Sequence, residues 1–232
     1  MNENLIQLYT SKWDNYFTMV NPILKDDNIE VKPANPLLLY IADEEAYKQA
    51  DIRLMIFGQE TNSWYEERDV TIAGVQNLYD GFFNDGECWN YGGQFWNGVG
   101  RFLTSLHQKY PTKKIQLLWN NIVKVGKQGD KGFPPDYIYE IERKHFNVIP
   151  DELTILKPDI VLFFTGPNYD SVLADNFGTL EYNSVEPFSQ RELSRLKLLD
   201  IPFVFRTYHP NYLWRNDIDW YFDTILNNIT IA

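Results

Sequence analysis

Cysteine is almost missing from these 232 residues: Cys88 stands alone, so no internal disulfide can form. A lone thiol without a chosen histidine partner reads as a small packing residue rather than a nucleophile. Histidine is nearly as scarce. His107, His145 and His209 are scattered, and with one cysteine they give no zinc-type ligand spacing, so no metal is expected. Long apolar runs are missing as well. No window approaches the roughly 18 consecutive apolar residues of a membrane span, and the opening MNENLIQLYTSKWDNYF has no basic segment followed by an apolar one. A cytoplasmic protein with no membrane partner is the expectation. Glycine occurs 13 times, but neither in the spacing of a dinucleotide fold nor before a Lys-Ser/Thr pair, so no phosphate-binding fingerprint is present. Positive charge is also short, with 21 basic residues against 32 acidic ones and a net charge of -11. That balance argues against a dedicated duplex binder, whose affinity rests on Lys and Arg neutralising phosphates, while leaving room for a local basic patch.

Hydrophobic residues are plentiful, at 44%, with 16% aromatic, enough for one sizeable core. No repeat, charge block or Gly/Ser linker divides the chain, so residues 1–232 read as a single domain, with an N-terminal helix at about residues 4–20 packed on it. Leu5, Leu8, Tyr9, Trp13, Tyr16, Phe17 and Val20 recur at helical spacing there, and VNPILKDDN predicts its end. Compact apolar runs follow at 52–57, 114–119, 159–166 and 201–210, separated by helical patterns. The alternation predicts an α/β fold, a three-layer α/β/α sandwich with a central four-stranded parallel sheet. Ligands bind beyond the carboxyl ends of such strands. Those ends are FGQETNSW, LLWNNIV, FFTGPNY and RTYHPNYLW, which single out Gln59, Glu60, Asn62, Asn120, Asn168 and His209.

In their order along the chain these ends resemble the uracil-DNA glycosylase superfamily. FGQE at 57–60, LLWN at 117–120, KPDIVLFFTG at 157–166 and HPNYL at 209–213 match its water-positioning loop, its base-reading strand end, its Gly-terminated strand and its His-Pro loop with a leucine wedge. The resemblance spans roughly residues 50–225 and implies that a base is flipped out and its N-glycosidic bond broken. It further implies that Glu60 orients water, that His209 hydrogen-bonds the departing base, and that Gln59 and Asn120 meet the base edge. Phe83, beside Phe82, is the candidate stacking ring. Leu213 is the candidate wedge on the cavity rim, and Asn211 and Arg215 are candidate DNA contacts. The implied partner is DNA, single-stranded or uracil-containing, and the implied chemistry needs no metal or organic cofactor. Two departures stand out: Glu60 replaces the usual Asp, and Thr61-Asn62 replaces the Pro-Tyr pair that closes the pocket in the best-known branch.

Each of these residues also fits a plainer role. Glu60 suits a cap after a strand, Asn120 and Asn121 suit a turn, and His209 suits a buried imidazole bonded to main chain. Trp64, Trp89, Tyr91, Trp96 and Trp214 fit base stacking, although in a chain with 37 aromatics most must be core or helix-packing residues, and Lys124, Arg206 and Arg215 fit a solvated rim more readily than phosphate contacts. GFFNDGECWNYGGQFW, 81–96, has the composition of a mobile loop able to close over a pocket. The alternative function is a non-catalytic member of the same fold that binds a small nucleobase, a nucleotide or a protein partner.

Overall fold

A computed structural model describes residues 1–64 and 71–231, and among them the sheet has seven strands where the apolar runs predict four. In chain order these are β1 (Pro33–Pro36), β2 (Ile52–Asn62), β3 (Ile115–Lys127), β4 (Ile160–Phe163), β5 (Tyr182–Ser184), β6 (Leu193–Leu196) and β7 (Phe203–Thr207). Their spatial order is β1-β3-β2-β4-β7-β6-β5. The four predicted strands are the central ones, and β2 pairs in parallel with both β3 and β4, as β4 does with β7. The three additions are antiparallel edge pairings. Their sequences conceal them, because β1 is PANP, two of whose four residues cannot donate to a ladder, and β5 is the polar triplet YNS.

The helices are α1 (Asn2–Lys25), α2 (Glu44–Lys48), α3 (Ile72–Tyr79), α4 (Glu87–Tyr91), α5 (Gln94–Lys109), α6 (Asp136–His145), α7 (Ile149–Leu156), α8 (Asp170–Phe177), α9 (Pro210–Leu213) and α10 (Ile218–Asn227). α1 buries Leu5, Tyr9, Tyr16 and Val20 and packs on α3, α6 and α7, while α5 packs on α9 and α10. The first helix continues past Pro22, whose missing N–H removes one hydrogen bond but does not end it. The result is an α/β protein with a seven-stranded mixed sheet, its central strands parallel and helices packed on it. Among the described residues no helix is long and apolar enough to cross a membrane.

Two expectations change here. The 81–96 segment is not a loop: α3 runs into a π-helical turn at Asp80–Asn84, then into α4 and α5. Its apolar residues explain this, since Phe83 and Cys88 are buried in the core and anchor the turns between the glycines. Asn120 and Asn121 are not turn residues either. β3 runs on for several residues beyond its apolar half, held by β2 and by β1, so both asparagines lie within a strand.

The strand connections set where a ligand can sit. From β2 the chain moves to β3 on one side, and from β4 to β7 on the other, so the carboxyl ends of the adjacent strands β2 and β4 bound a topological switch point.

Candidate functional site

A cavity of about 730 Å³ opens at that end of the sheet, within the usual range for small-molecule sites. Gln59 and Glu60 from β2, Asn121 from β3 and His209 after β7 all line it, together with Phe82 and Phe95. Two glycines make the assembly possible. A Cβ on Gly58 would lie 2.4 Å from Asn121 Oδ1 and 3.2 Å from the Phe95 ring, so only glycine lets both side chains lie across β2. A Cβ on Gly98 would lie 2.5 Å from Pro210 Cβ, so α5 must be bare there for the His-Pro segment to seat against it.

His209 is the N-cap of α9, and its Nδ1 accepts a hydrogen bond from the Asn211 main-chain N–H at 3.1 Å. With Nδ1 used as an acceptor, the proton of the neutral ring resides on Nε2. Phe95 stacks on the ring at 5.7 Å. Burial lowers the His209 pKa to about 4, so the group is a neutral N–H donor at neutral pH. Accordingly, the His209 ring signals in an NMR titration should stay those of the neutral, Nε2-protonated imidazole down to about pH 4. A midpoint near the ordinary value of about 6.5 would contradict this placement.

Glu60 is held differently. Its Oε2 accepts the phenol hydrogen of Tyr169, which follows β4, and Gln59 Nε2 donates to the Thr165 carbonyl at 2.8 Å. These two bonds tie β2 to the loop after β4 across the switch point. Burial raises the Glu60 pKa, opposed by the Tyr169 hydrogen bond, by Lys127 and by the main chain of Gly132. The capping role is not what the structure has, since Glu60 lies inside β2.

Asn121 is buried to 3% exposure and lines the cavity, yet its side-chain amide has no hydrogen-bond partner among the described residues. A buried amide left open in this way has both a donor and an acceptor to offer a ligand. Asn120, the residue the sequence singles out, points the other way. Successive residues of a strand face opposite sides. Asn120 Oδ1 accepts from Lys124 Nζ at 2.8 Å, and its Nδ2 donates to Glu152 Oε2 at 2.8 Å, so neither end is available to a base. Lys124 in turn pairs with Glu152 at 2.8 Å, both side chains essentially unexposed, and Tyr9 OH donates to the same carboxylate at 2.7 Å. This is a structural network joining β3, α7 and α1, not a phosphate contact.

Three other candidates are also placed differently. Phe83 is 7% exposed and packs behind the cavity against Tyr79 and Trp96, while Phe82 reaches the lining. Leu213 is fully buried because the single turn of α9 turns it toward α5 and α10, so it is no rim wedge; its neighbours Tyr212 and Trp214 are the exposed residues. Arg206 is buried and paired with Asp170 at 3.0 Å. By contrast, Asn211 and Arg215 are exposed, and Arg215 Nε bonds only the Asn211 carbonyl, at 3.2 Å. Arg191, exposed beside Asn168 at 3.5 Å, joins them as a residue the sequence did not single out. Arg53, Arg101, Arg143 and Arg206 each meet a carboxylate, whereas Arg191 and Arg215 have none within 4.0 Å among the described residues.

Chemically, the cavity combines a carboxylate able to orient water, a neutral imidazole N–H able to stabilise a departing anion, and an open amide able to read a planar polar edge. Comparison with family models finds no match to the chain, and comparison with curated proteins finds none either.

Proposed function

We propose that this protein has the three-layer α/β/α uracil-DNA glycosylase-like fold and hydrolyses the N-glycosidic bond of uracil, or a related damaged base, in DNA. The observation that carries the reading is that Glu60 of β2, Asn121 of β3 and His209 after β7 line one cavity. Asn121 reads the base edge in place of Asn120, and Gln59 supports it from β2. Glu60 orients a water toward C1′ of the sugar and takes its proton as the C1′–N bond breaks. The bonding electrons leave on the base, and His209 Nε2–H meets the negative charge that develops there. Residues of the protein suffice for these steps.

The substrate best suited to this rim is single-stranded. With Leu213 buried, the candidate wedge is not available to fill the gap left by a flipped base, so the enzyme gains most from a base that is already unstacked. Exposed and without a carboxylate within 4.0 Å among the described residues, Arg191 and Arg215 are the proposed contacts to its phosphates. Removing either one, as Arg191→Gln or Arg215→Gln, should reduce the slope of log affinity against log salt for a short single strand by about one. Fluorescence anisotropy of a labelled oligonucleotide reads that slope, and an unchanged value would remove both residues from the interface.

The test of function is strand scission in hot alkali after incubation of a single-stranded oligonucleotide containing one deoxyuridine. Scission at that position, with a thymidine control left intact, is the expected result. An intact strand with folded protein would overturn the reading. The net charge of -11 favours a second reading, a nucleobase- or nucleotide-binding protein without cleavage, and binding without scission is its signature.

A further inference from the structure

The contact between Tyr169 and Glu60 joins residues 109 positions apart and crosses the switch point between β2 and β4. Several features hold the phenol in place. Gly166 adopts a φ of +75°, which lets the chain turn out of the β4 end into the 3₁₀ turn Pro167–Tyr169 that presents the ring. Phe133 packs edge-on against Tyr169 at 5.8 Å and against Tyr139 at 4.9 Å, backing the ring from the segment after β3. The Gln59 bond to Thr165 ties β2 to the same loop after β4, one residue away on β2 and four on the loop.

We propose that Tyr169 is a positioning residue for Glu60: its phenol holds Oε2 of the carboxylate, fixing the orientation of the group so that the other oxygen orients water in the cavity. This assignment rests on the glycosidic reading of the cavity. A glutamate has one more rotatable bond than an aspartate, and a carboxylate meant to aim a water needs that freedom removed. Tyr169 removes it with a hydrogen bond that favours the ionised form, the form a water-orienting base requires. Lys127 of β3 and the Gly132 main chain also act on Glu60, and Tyr91, Lys131 and His209 are the other ionisable side chains lining the cavity among the described residues.

The experiment is Tyr169→Phe, which keeps the ring and removes only the hydroxyl, in protein carrying ¹³C-labelled glutamate carboxyl groups, with the Glu60 signal identified from Glu60→Gln. Losing a hydrogen bond to a charged group should raise the Glu60 titration midpoint by about one pH unit or more. The acid limb of the rate of base release should move up by the same amount, with KM little changed. Tyr139→Phe, which removes a phenol bonded to Asp175 on the other side of Phe133, should leave the midpoint where it is. A midpoint that stays or falls in folded Tyr169→Phe protein, or one that rises equally in Tyr139→Phe, overturns the assignment. The titration needs no substrate, so a raised midpoint without any base release would sustain the Tyr169–Glu60 coupling and overturn the glycosidic reading alone.

Discussion

Glu60→Gln and His209→Ala should each lower the rate of base release by about 100-fold or more, with the protein still folded. A glutamine can still bond Tyr169 and fill the space, but it cannot take a proton from water. An alanine at 209 removes the donor that meets the departing base, and it also removes the cap on the Asn211 N–H, so its stability must be checked alongside its rate. Because both side chains act on one transition state, the double variant should lose far less than the product of the two single losses. Asn121→Ala and Asn120→Ala separate the two faces of β3. The first should weaken substrate binding and turnover with little effect on folding, and the second should reduce stability through the Lys124 and Glu152 contacts it breaks. Rates that fall for Asn120→Ala in proportion to lost folding, and not for Asn121→Ala, would put the base-reading role in doubt.

Lys124→Ala should cost about 3–5 kcal/mol of stability, the usual penalty for leaving one member of a buried ion pair without its partner. Glu152 would then hold a charge in the core, with only Tyr9 and Asn120 as side-chain hydrogen-bond donors among the described residues. For a chain of this size that corresponds to a fall in melting temperature of roughly 6–20 °C. Nearby, Glu142 accepts the main-chain N–H groups of Lys124 and Val125 at 2.8 Å each, and burial pushes its pKa up to about 7, so a second acid shares the dry side of β3. Replacing both partners, as Lys124→Met with Glu152→Leu, should recover most of the loss, since no uncompensated charge remains. Urea unfolding of the two single variants and the double variant measures this. A loss below about 1 kcal/mol in Lys124→Ala would contradict the buried pair.

The apolar runs at 52–57, 114–119, 159–166 and 201–210 carried the parallel centre of the sheet, because strands covered on both faces are near-continuously hydrophobic. That same continuity hid which face each residue takes. LLWNN offers two asparagines, and a shift of one position exchanges the core network for the cavity. A usable signal was present: Lys124 lies four residues after Asn120, hence on the same face of a strand, and a lysine inside an apolar run needs buried partners. The His-Pro segment was legible as a strand end, but the burial of Leu213 follows from the single turn of α9 against α5 and α10, which no local pattern encodes. Tyr169 and Arg191 were out of reach for a related reason. Their roles arise from contacts between strand ends far apart in the chain, and such pairings leave no periodicity to read.

Glu60, Asn121 and His209 line one cavity, the proposed seat of a pyrimidine base. Titrating ¹⁵N-labelled protein with free uracil tests it most directly, with the Asn121 side-chain amide and the His209 Nε2–H followed as reporters. Both should shift together and saturate with one midpoint, while the Asn120 amide, enclosed in its network with Lys124 and Glu152, stays in place. Shifts confined to other residues, or no shift at Asn121 and His209 at millimolar uracil, would contradict it.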